Sequence, residues 1–377
     1  MRFLHTGDLH LGKQLNDVSL LEDQRHILGQ LLDIAISEKA DAVLIAGDIY
    51  QKSVPQAEAM ALFDSFLTSL AENCIKVFLI SGKHDSSMRI SYFSSLVRAS
   101  GIYASENFEG KLQTVRLQDE HGDICIHLMP FIKPIHARRW LPDAPIASYQ
   151  DAVAAVLANS PIDESCRNVL LCHQFITGSE TCDSEESAVG GLDNISADIF
   201  SAFDYVALGH IHKPQPMLRQ TLRYSGSPLK YSFSEVNHKK SAAIVDIGKK
   251  GEIEIKTVPL VPMRDMRLVE GMFDDLINSH VSDDYVWVTL NDELPPPDAR
   301  LSLTAVFPNM LKFSISNSKT RTDVDVLRAD AVESMSVEEL FTDFYRWQNN
   351  DAAPSEAHMR TLEEILKEVE EDRHEAR

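Results

Sequence analysis

Cysteine is scarce and unpaired in this chain. Cys74, Cys125, Cys166, Cys172 and Cys182 form no C-x-x-C spacing and are odd in number. A reducing cytoplasm is therefore the expected setting, with the thiols acting as small core residues, and a structural zinc held by thiolates is disfavoured. Cys172 precedes His173 on an expected strand and so faces the opposite way. Long apolar runs are missing too: no stretch approaches the roughly 20 residues that span a bilayer. No secretory leader is expected, because Met1-Arg2-Phe3-Leu4 runs straight into a strand and its Asp. Positive charge is also in short supply, with 36 Lys and Arg against 57 Asp and Glu, a net −21. Such a chain does not grip nucleic acid by bulk charge. A nuclease stays allowed, since bound dications add local positive charge that the count omits. A basic partner subunit is another source of phosphate grip. Internal repeats and low-complexity tracts are absent from the sequence.

What is present is ordinary in bulk and specific in pattern. Apolar residues make up 44% and charged residues 25% of 377 positions, which suits a globular protein of two or more domains. Five short apolar runs each end on Asp or His. Phe3-Leu4 leads to Asp8-x-His10, and Ala42–Ala46 to Gly47-Asp48. Val77–Ile80 leads to Gly82-Lys83-His84-Asp85, Val169–Leu171 to His173, and Tyr205–Leu208 to Gly209-His210-Ile211-His212. Short apolar runs bounded by Gly read as buried strands, and open α/β sheets gather ligands at strand carboxyl ends.

Those residue types predict a two-metal site. Carboxylate and imidazole donors suit Mn²⁺, Fe²⁺ or Zn²⁺. Two dications about 3.5–4 Å apart activate a water and clamp a phosphoryl group for in-line attack. Asp48 is the expected bridging carboxylate. Asp8, His10 and His212 are expected around one ion, with His173 and His210 around the other. Side-chain alternation sends His210 and His212 to one side and Ile211 to the core. His84 is placed to donate a proton to a leaving oxygen, with Asp85 fixing its tautomer.

Along the chain, residues 1–260 alternate strands with helical patterns. Leu28, Leu31, Leu32 and Ala35 recur at helical spacing, as do Met60, Phe63, Phe66, Leu67 and Leu70. That βαβ rhythm favours parallel pairing, and the strand-rich stretch from Asn168 onward favours two sheets flanked by helices. Residues 261–330 predict a small β-α-β module: a strand over Tyr285–Leu290, a helix capped by Asp298 and running to Phe307, and a returning strand over Leu311–Ile315. Residues 331–377 predict a helical hairpin. Ser336-x-x-Glu339 is a capping box before Val337, Leu340, Phe341 and Phe344, and Pro354-Ser355-Glu356 opens a second helix with Met359, Leu362, Ile365, Leu366 and Val369 on one face.

Asp8-Leu9-His10-Leu11-Gly12, Gly47-Asp48, Gly82-Lys83-His84-Asp85, His173 and Gly209-His210-Ile211-His212 resemble, in order, the motifs of calcineurin-like metallophosphoesterases. The start Met1–Asp8, the Tyr224-Ser225-Gly226-Ser227-Pro228 turn, the small module and the tail resemble the SbcD family of bacterial nuclease subunits. That resemblance implies a Mn²⁺-dependent exonuclease and endonuclease in the cytoplasm, acting on double-stranded DNA ends and hairpins in repair, recombination and replication. It implies an SbcC ATPase partner docked by the tail, a cap that guides DNA, and a homodimer within a heterotetramer. His5 is left as structural.

The sequence departs from the family at one position. The family motif reads Gly-Asn-His-Asp, and its Asn oxygen ligates the second ion; here the residue is Lys83. An ammonium has three donors and no lone pair. Deprotonating it at pH 7 costs roughly 4–5 kcal/mol. Three outcomes are open: a weakly bound second ion with water in the missing position, a one-metal enzyme in which Lys83 supplies the charge, or a crippled site. The last leaves a catalytically weakened scaffold that binds DNA ends. A small-molecule phosphodiesterase is the other alternative, against which the added module and tail argue.

Overall fold

The computed structural model describes residues 1–92, 94–185, 194–318, 320, 336–349 and 352–375. It divides into two compact units, Met1–Met266 and Arg267–Arg377. The first unit is built on two six-stranded sheets. One runs Ile253–Pro259, Ser241–Ile247, Arg2–Thr6, Ala42–Ile45, Lys76–Leu79, Ile102–Ala104 in spatial order; its last four strands are parallel. The other runs Gln215–Met217, Arg219–Tyr224, Tyr205–Gly209, Arg167–His173, Gly122–Met129, Gln113–Asp119, again with a parallel centre.

The central strands are buried on both faces, which is why they read as unbroken apolar runs rather than alternating ones. Alternation decides which neighbour each residue meets. Ala42, Leu44 and Phe78 point between the sheets, where they pack with Ile126, Leu128, Val169, Leu171, Tyr205 and Ala207. Leu170, Cys172, Val206 and Leu208 point the other way, into a core shared with Ala152, Val153 and Val156 of the Tyr149–Ala158 helix. Cys172 therefore faces away from His173's pocket, as the alternation predicts. The Leu21–Ser37 helix buries Ile27, Leu28, Leu31 and Ala35, and the Ala57–Glu72 helix buries Ala59, Leu62, Phe63, Phe66 and Leu70. Met60 was expected on that buried face. It is 46% exposed instead, and Ala59 and Leu62 take up the apolar stripe.

The second unit holds a three-stranded sheet ordered Met266–Gly271, Tyr285–Leu290, Met310–Ile315, the last two parallel. Leu276, Val286, Val288, Leu290, Ala299, Leu303, Val306 and Phe307 form its core. The first strand and the short helix Phe273–Ile277 were not anticipated from the sequence. The helix after Asp298 covers only Ala299–Leu303, and the Asp298 side chain does not cap it. Its backbone is not extended there, so the carboxylate accepts no first-turn N–H, although the Asp298 carbonyl accepts from Ser302 N. The tail forms the helices Val337–Gln348 and Glu356–Glu375. Both arms of the capping box are made: Glu339 N donates to Ser336 Oγ at 3.2 Å and Ser336 N to Glu339 Oε2 at 2.8 Å. The Tyr345 and His358 rings meet at 4.9 Å between the two helices. Val337 and Phe344 are more than half exposed. The expected boundary near residue 330 and the side chain of Val369 lie outside what is described.

Candidate metal centre

The carboxyl ends of the parallel strands in both sheets meet at one edge of the sandwich. Two contacts stitch that edge. His173 Nδ1 lies 2.8 Å from the Ala46 carbonyl, and His210 N donates to both Asp8 oxygens at 2.9 and 3.1 Å. Asp8, His10, Asp48 and His210 all take positive φ, between 44° and 106°. Each such residue costs on the order of 1–3 kcal/mol and persists only where its surroundings over-determine it. Close approach of the two sheets demands glycine as well. A Cβ at Gly209 would fall far inside contact with the Ala46 carbonyl, and one at Gly82 would strike the Asp48 carboxylate.

Three overlapping groups of donor atoms result at the strand ends: Asp8, His10 and His212; His10, Asp48 and His84; and Asp48, His173 and His210; a fourth, Cys182, His212 and Glu235, lies on the far side of the His212 ring. Asp48 lies between the imidazoles of both ends. Its Oδ2 is 3.2 Å from His173 Nε2, 3.8 Å from His10 Nε2 and 4.0 Å from His84 Nε2. His10 Nε2 and His212 Nε2 face one another at 3.1 Å. His173 Nε2 is buried and its nearest acidic oxygen is Asp48 Oδ2 at 3.2 Å. The Ala46 carbonyl accepts the Nδ1 proton of His173, which leaves Nε2 as the ligating nitrogen. Converging buried lone pairs and a central carboxylate fit a pair of divalent cations.

The electrostatics of the protein alone say the same. Burial pushes the Asp8 carboxyl up to about 7, with Asp48 adding to the effect against His173 and His212. Burial also lowers His10 and His210 well below the usual imidazole range. His173 goes the other way: burial would lower it, but the Asp48 and Asp8 carboxylates outweigh that and lift it to about 9. Asp48 in turn is held well below the carboxylate range by His173, His10 and His84, against its own burial. In effect a proton on His173 supplies the positive charge that the Asp48 carboxylate requires.

The eight residues singled out in the sequence, Asp8, His10, Asp48, His84, Asp85, His173, His210 and His212, all lie at this edge, and seven of them supply donor atoms to the three groups. Asp85 does something different from what its position suggested. Its carboxylate accepts from Ile49 N, Tyr50 N and Gly82 N at 2.9–3.0 Å. It ties the Gly82–Asp85 loop to the Asp48 loop, and no hydrogen bond joins it to the His84 ring among the described residues. His84 is instead held by its own N–H, which donates to Asp48 Oδ1 at 2.8 Å. Lys83 stands close enough for its charge to push His210 further from protonation. His5 packs in the core with Nδ1 2.9 Å from the Tyr205 hydroxyl.

Sequence reasoning missed the supports. Gln24, fully buried, donates to the His10 carbonyl at 2.8 Å and accepts from Gly12 N at 2.9 Å, so one amide clamps the Asp8–Gly12 loop. Tyr231 donates to the Leu9 carbonyl and sets its ring edge-on to His10 and His212. Glu235 and Lys240 form a buried ion pair at 2.5 Å beside His212. The contacts that tie these residues to the site, Tyr231 to Leu9 and Lys240 to the His212 carbonyl, join distant parts of the chain and leave no local periodicity to read.

Residues 1–214 match the family model described as calcineurin-like phosphoesterase. Residues 262–349 match one described as type 5 capsule protein repressor C-terminal domain, SbcD_C. The SbcD subunit of the SbcCD nuclease from Staphylococcus epidermidis is 32% identical over 341 residues, covering 88% of this chain and 90% of that protein. Among solved structures, a dimetal phosphatase from Danio rerio is matched over 70% of this chain and 97% of its own, at 10% identity and a TM-score of 0.41. A Thermus thermophilus protein is matched over 68% and 98%, at 12% identity and a TM-score of 0.38.

Proposed function

The chain belongs to the SbcD family of calcineurin-like phosphoesterases and is a metal-dependent phosphodiesterase, and from that premise we propose that it is the nuclease subunit of an SbcCD-type complex. Its substrates are double-stranded DNA ends and hairpins, its partner an SbcC ATPase, and its working ions Mn²⁺. Repair, recombination and replication of DNA in the cytoplasm are the processes it serves, as a homodimer within a heterotetramer. Five free thiols suit a reducing compartment. Among the described residues no helix is long and apolar enough to cross a membrane. The net charge of −21 leaves the phosphate grip to the ions and the partner.

One observation carries the reading: Asp48 Oδ2 lies within 3.2–4.0 Å of imidazole nitrogens from three separate strand ends. Asp8, His10 and His212 would hold one ion, His173 and His210 the other, and Asp48 both. The bound pair supplies an activated water and charge to clamp the scissile phosphate. The protein's own part is positional. His84, with its backbone pinned to Asp48 and its ring 17% exposed, is placed to give a proton to the leaving oxygen. Asp85 keeps that loop in register with Asp48.

Hydrolysis of hairpin and duplex-end DNA by the chain with its SbcC partner, in Mn²⁺ and in chelator, tests the reading. Cleavage that needs Mn²⁺ and exceeds that of a chromogenic phosphodiester is expected. Preference for the small ester would overturn it. Lys83 supports a second reading, a DNA-end-binding scaffold with weakened catalysis; under it the same complex binds ends tightly and cleaves both substrates poorly.

A further inference from the structure

The ring of His212 faces two ways. Its Nε2 looks toward His10 and Asp8, and its Nδ1 looks into a polar chain that none of the metal motifs contains. Nδ1 lies 2.8 Å from Ser184 Oγ and 3.4 Å from Glu235 Oε1, both acceptors for its hydrogen. The Ser184 hydroxyl donates to Glu235 Oε1 at 2.5 Å. Lys240 Nζ donates to Glu235 Oε2 at 2.5 Å, to the His212 carbonyl at 2.8 Å and to Ser227 Oγ at 2.8 Å. Tyr231 N also donates to Glu235 Oε1, at 3.1 Å. Glu235 is fully buried and the Lys240 side chain is 4% exposed.

The directions in this chain are forced. A carboxylate ringed by an ammonium, a hydroxyl and an amide is an acceptor only. The one hydroxyl proton of Ser184 must then go to Glu235, and the oxygen has a lone pair left for His212. Cys182 Sγ, 3.1 Å from Ser184 Oγ, is a weak thiol donor and does not compete for that proton. Nδ1 of His212 therefore carries the hydrogen and Nε2 the lone pair. A ligating imidazole needs its far nitrogen fixed in this way, and loss of such a partner costs about 10–100-fold in metal affinity.

We propose that Lys240, Glu235 and Ser184 are positioning residues that lock His212 in the Nδ1–H tautomer and so commit its Nε2 to the ion beside Asp8 and His10. This rests on the reading of His212 as a metal ligand. A buried ion pair makes a durable anchor for such a relay, because neither partner can leave its place without stranding the other's charge.

The test uses the full chain, with Mn²⁺ binding followed by calorimetry and histidine tautomers by ¹⁵N NMR on metal-free protein. In the double variant Glu235→Gln, Lys240→Gln the charge pair is replaced by amides that do not impose a direction. It is expected to bind Mn²⁺ about 10–100-fold more weakly at one site, with the Nδ1–H signal of His212 diminished. Ser184→Ala, at a half-buried loop position, is expected to lose about tenfold, and Ser184→Thr to restore it. Should the double variant fail to fold, the Ser184 pair decides alone. Wild-type affinity and an unchanged tautomer in Ser184→Ala and the folded double variant overturn the relay. His212→Gln separates the two ideas: if it too binds like wild type, the metal reading falls; if it loses an ion while the others do not, only the relay falls.

Discussion

The affinity of this site for divalent ions should depend steeply on pH, and the slope follows from His173. The perturbation is pH alone. In the metal-free protein the Asp48 and Asp8 carboxylates, overcoming the penalty of burial, lift the His173 imidazole from 6.5 to about 9. An ion can take Nε2 only after that proton leaves. At pH 7 the deficit is about two pH units, which at 1.36 kcal/mol per unit is about 2.7 kcal/mol, or roughly a hundredfold in apparent affinity. The sign is fixed: protonation competes with the ion, so binding tightens as pH rises and levels off above about 9. Between pH 7 and 8.5 the expected slope is about tenfold per unit, with one proton released per ion at this site. Below about 7 the slope should steepen, because the Asp8 carboxyl, lifted to about 7 by burial, then holds a proton as well. Calorimetry of Mn²⁺ binding at several pH values, in buffers of contrasting ionisation enthalpy, reads both affinity and proton release. A flat affinity from pH 6.5 to 8.5 with no protons released would refute the reasoning, since the ion would then not be displacing a proton from His173.

Three further outcomes can be checked directly. Lys83→Asn replaces an ammonium near His210 by a neutral oxygen donor, and should tighten the weaker of two Mn²⁺ binding steps and raise cleavage in the same preparation; unchanged values would mean that Lys83 does not limit the site. His84→Gln should lower the cleavage rate by about 10²–10⁴-fold, the range for a lost general acid, while calorimetry shows Mn²⁺ affinity nearly unchanged. Arg167, 2% exposed, holds Asp119 at 2.6 Å, and this hydrogen bond keeps the Asp119 carboxyl well below the usual range. Arg167→Met should destabilise the first unit by about 1.5–3 kcal/mol in denaturant melts, the scale of a hydrogen bond to a charged group, because the Met1 ammonium still pairs with Asp119 at 3.1 Å. The Asp119 part of the wild-type contribution is present above the unfolded carboxyl pKa of about 3.9 and lost as pH falls below it, so the gap between the two proteins should narrow in acid without closing, since Arg167 still donates to the Gly122 and Gly248 carbonyls.

The site was legible because its strands are buried on both faces. A strand such as Ala42–Ile45 can carry only apolar residues, so the first Asp or His after it stands out and lies at the carboxyl edge by topology. Where side chains answer to local backbone or to distant partners, reading failed. Met60 sits at the right period but on the wrong side of its helix. Asp298 has a capping side chain but follows three prolines into a backbone that does not use it. Asp85 sits next to His84 in sequence yet bonds the amides of Ile49 and Tyr50 on a different strand end. Gln24, Glu235 and Lys240 act across folds of chain that no spacing rule connects.

These failures and the strained backbone share a cause. A metal site made of strand ends from two sheets must turn each chain sharply at the moment it leaves the sheet, and Asp8, His10, Asp48 and His210 pay in left-handed φ values. Summed, that is several kcal/mol on the order-of-magnitude scale for such residues. It is offset by bonds that join different strand ends: Asp8 N to Gly47 O, His10 N to Asp48 O, His210 N to Asp8, and Asp85 to three amides. Local propensity opposes the site while long-range contacts hold it. The ligands can therefore be read from residue type and place in the topology, but the residues that keep them in position cannot. It follows that removing a ligand side chain that makes no such bond, His210 for example, should cost ion binding and little stability, whereas cutting a stitch such as Asp85 to amides should cost stability first, with the strained turns relaxing and the donor groups dispersing together.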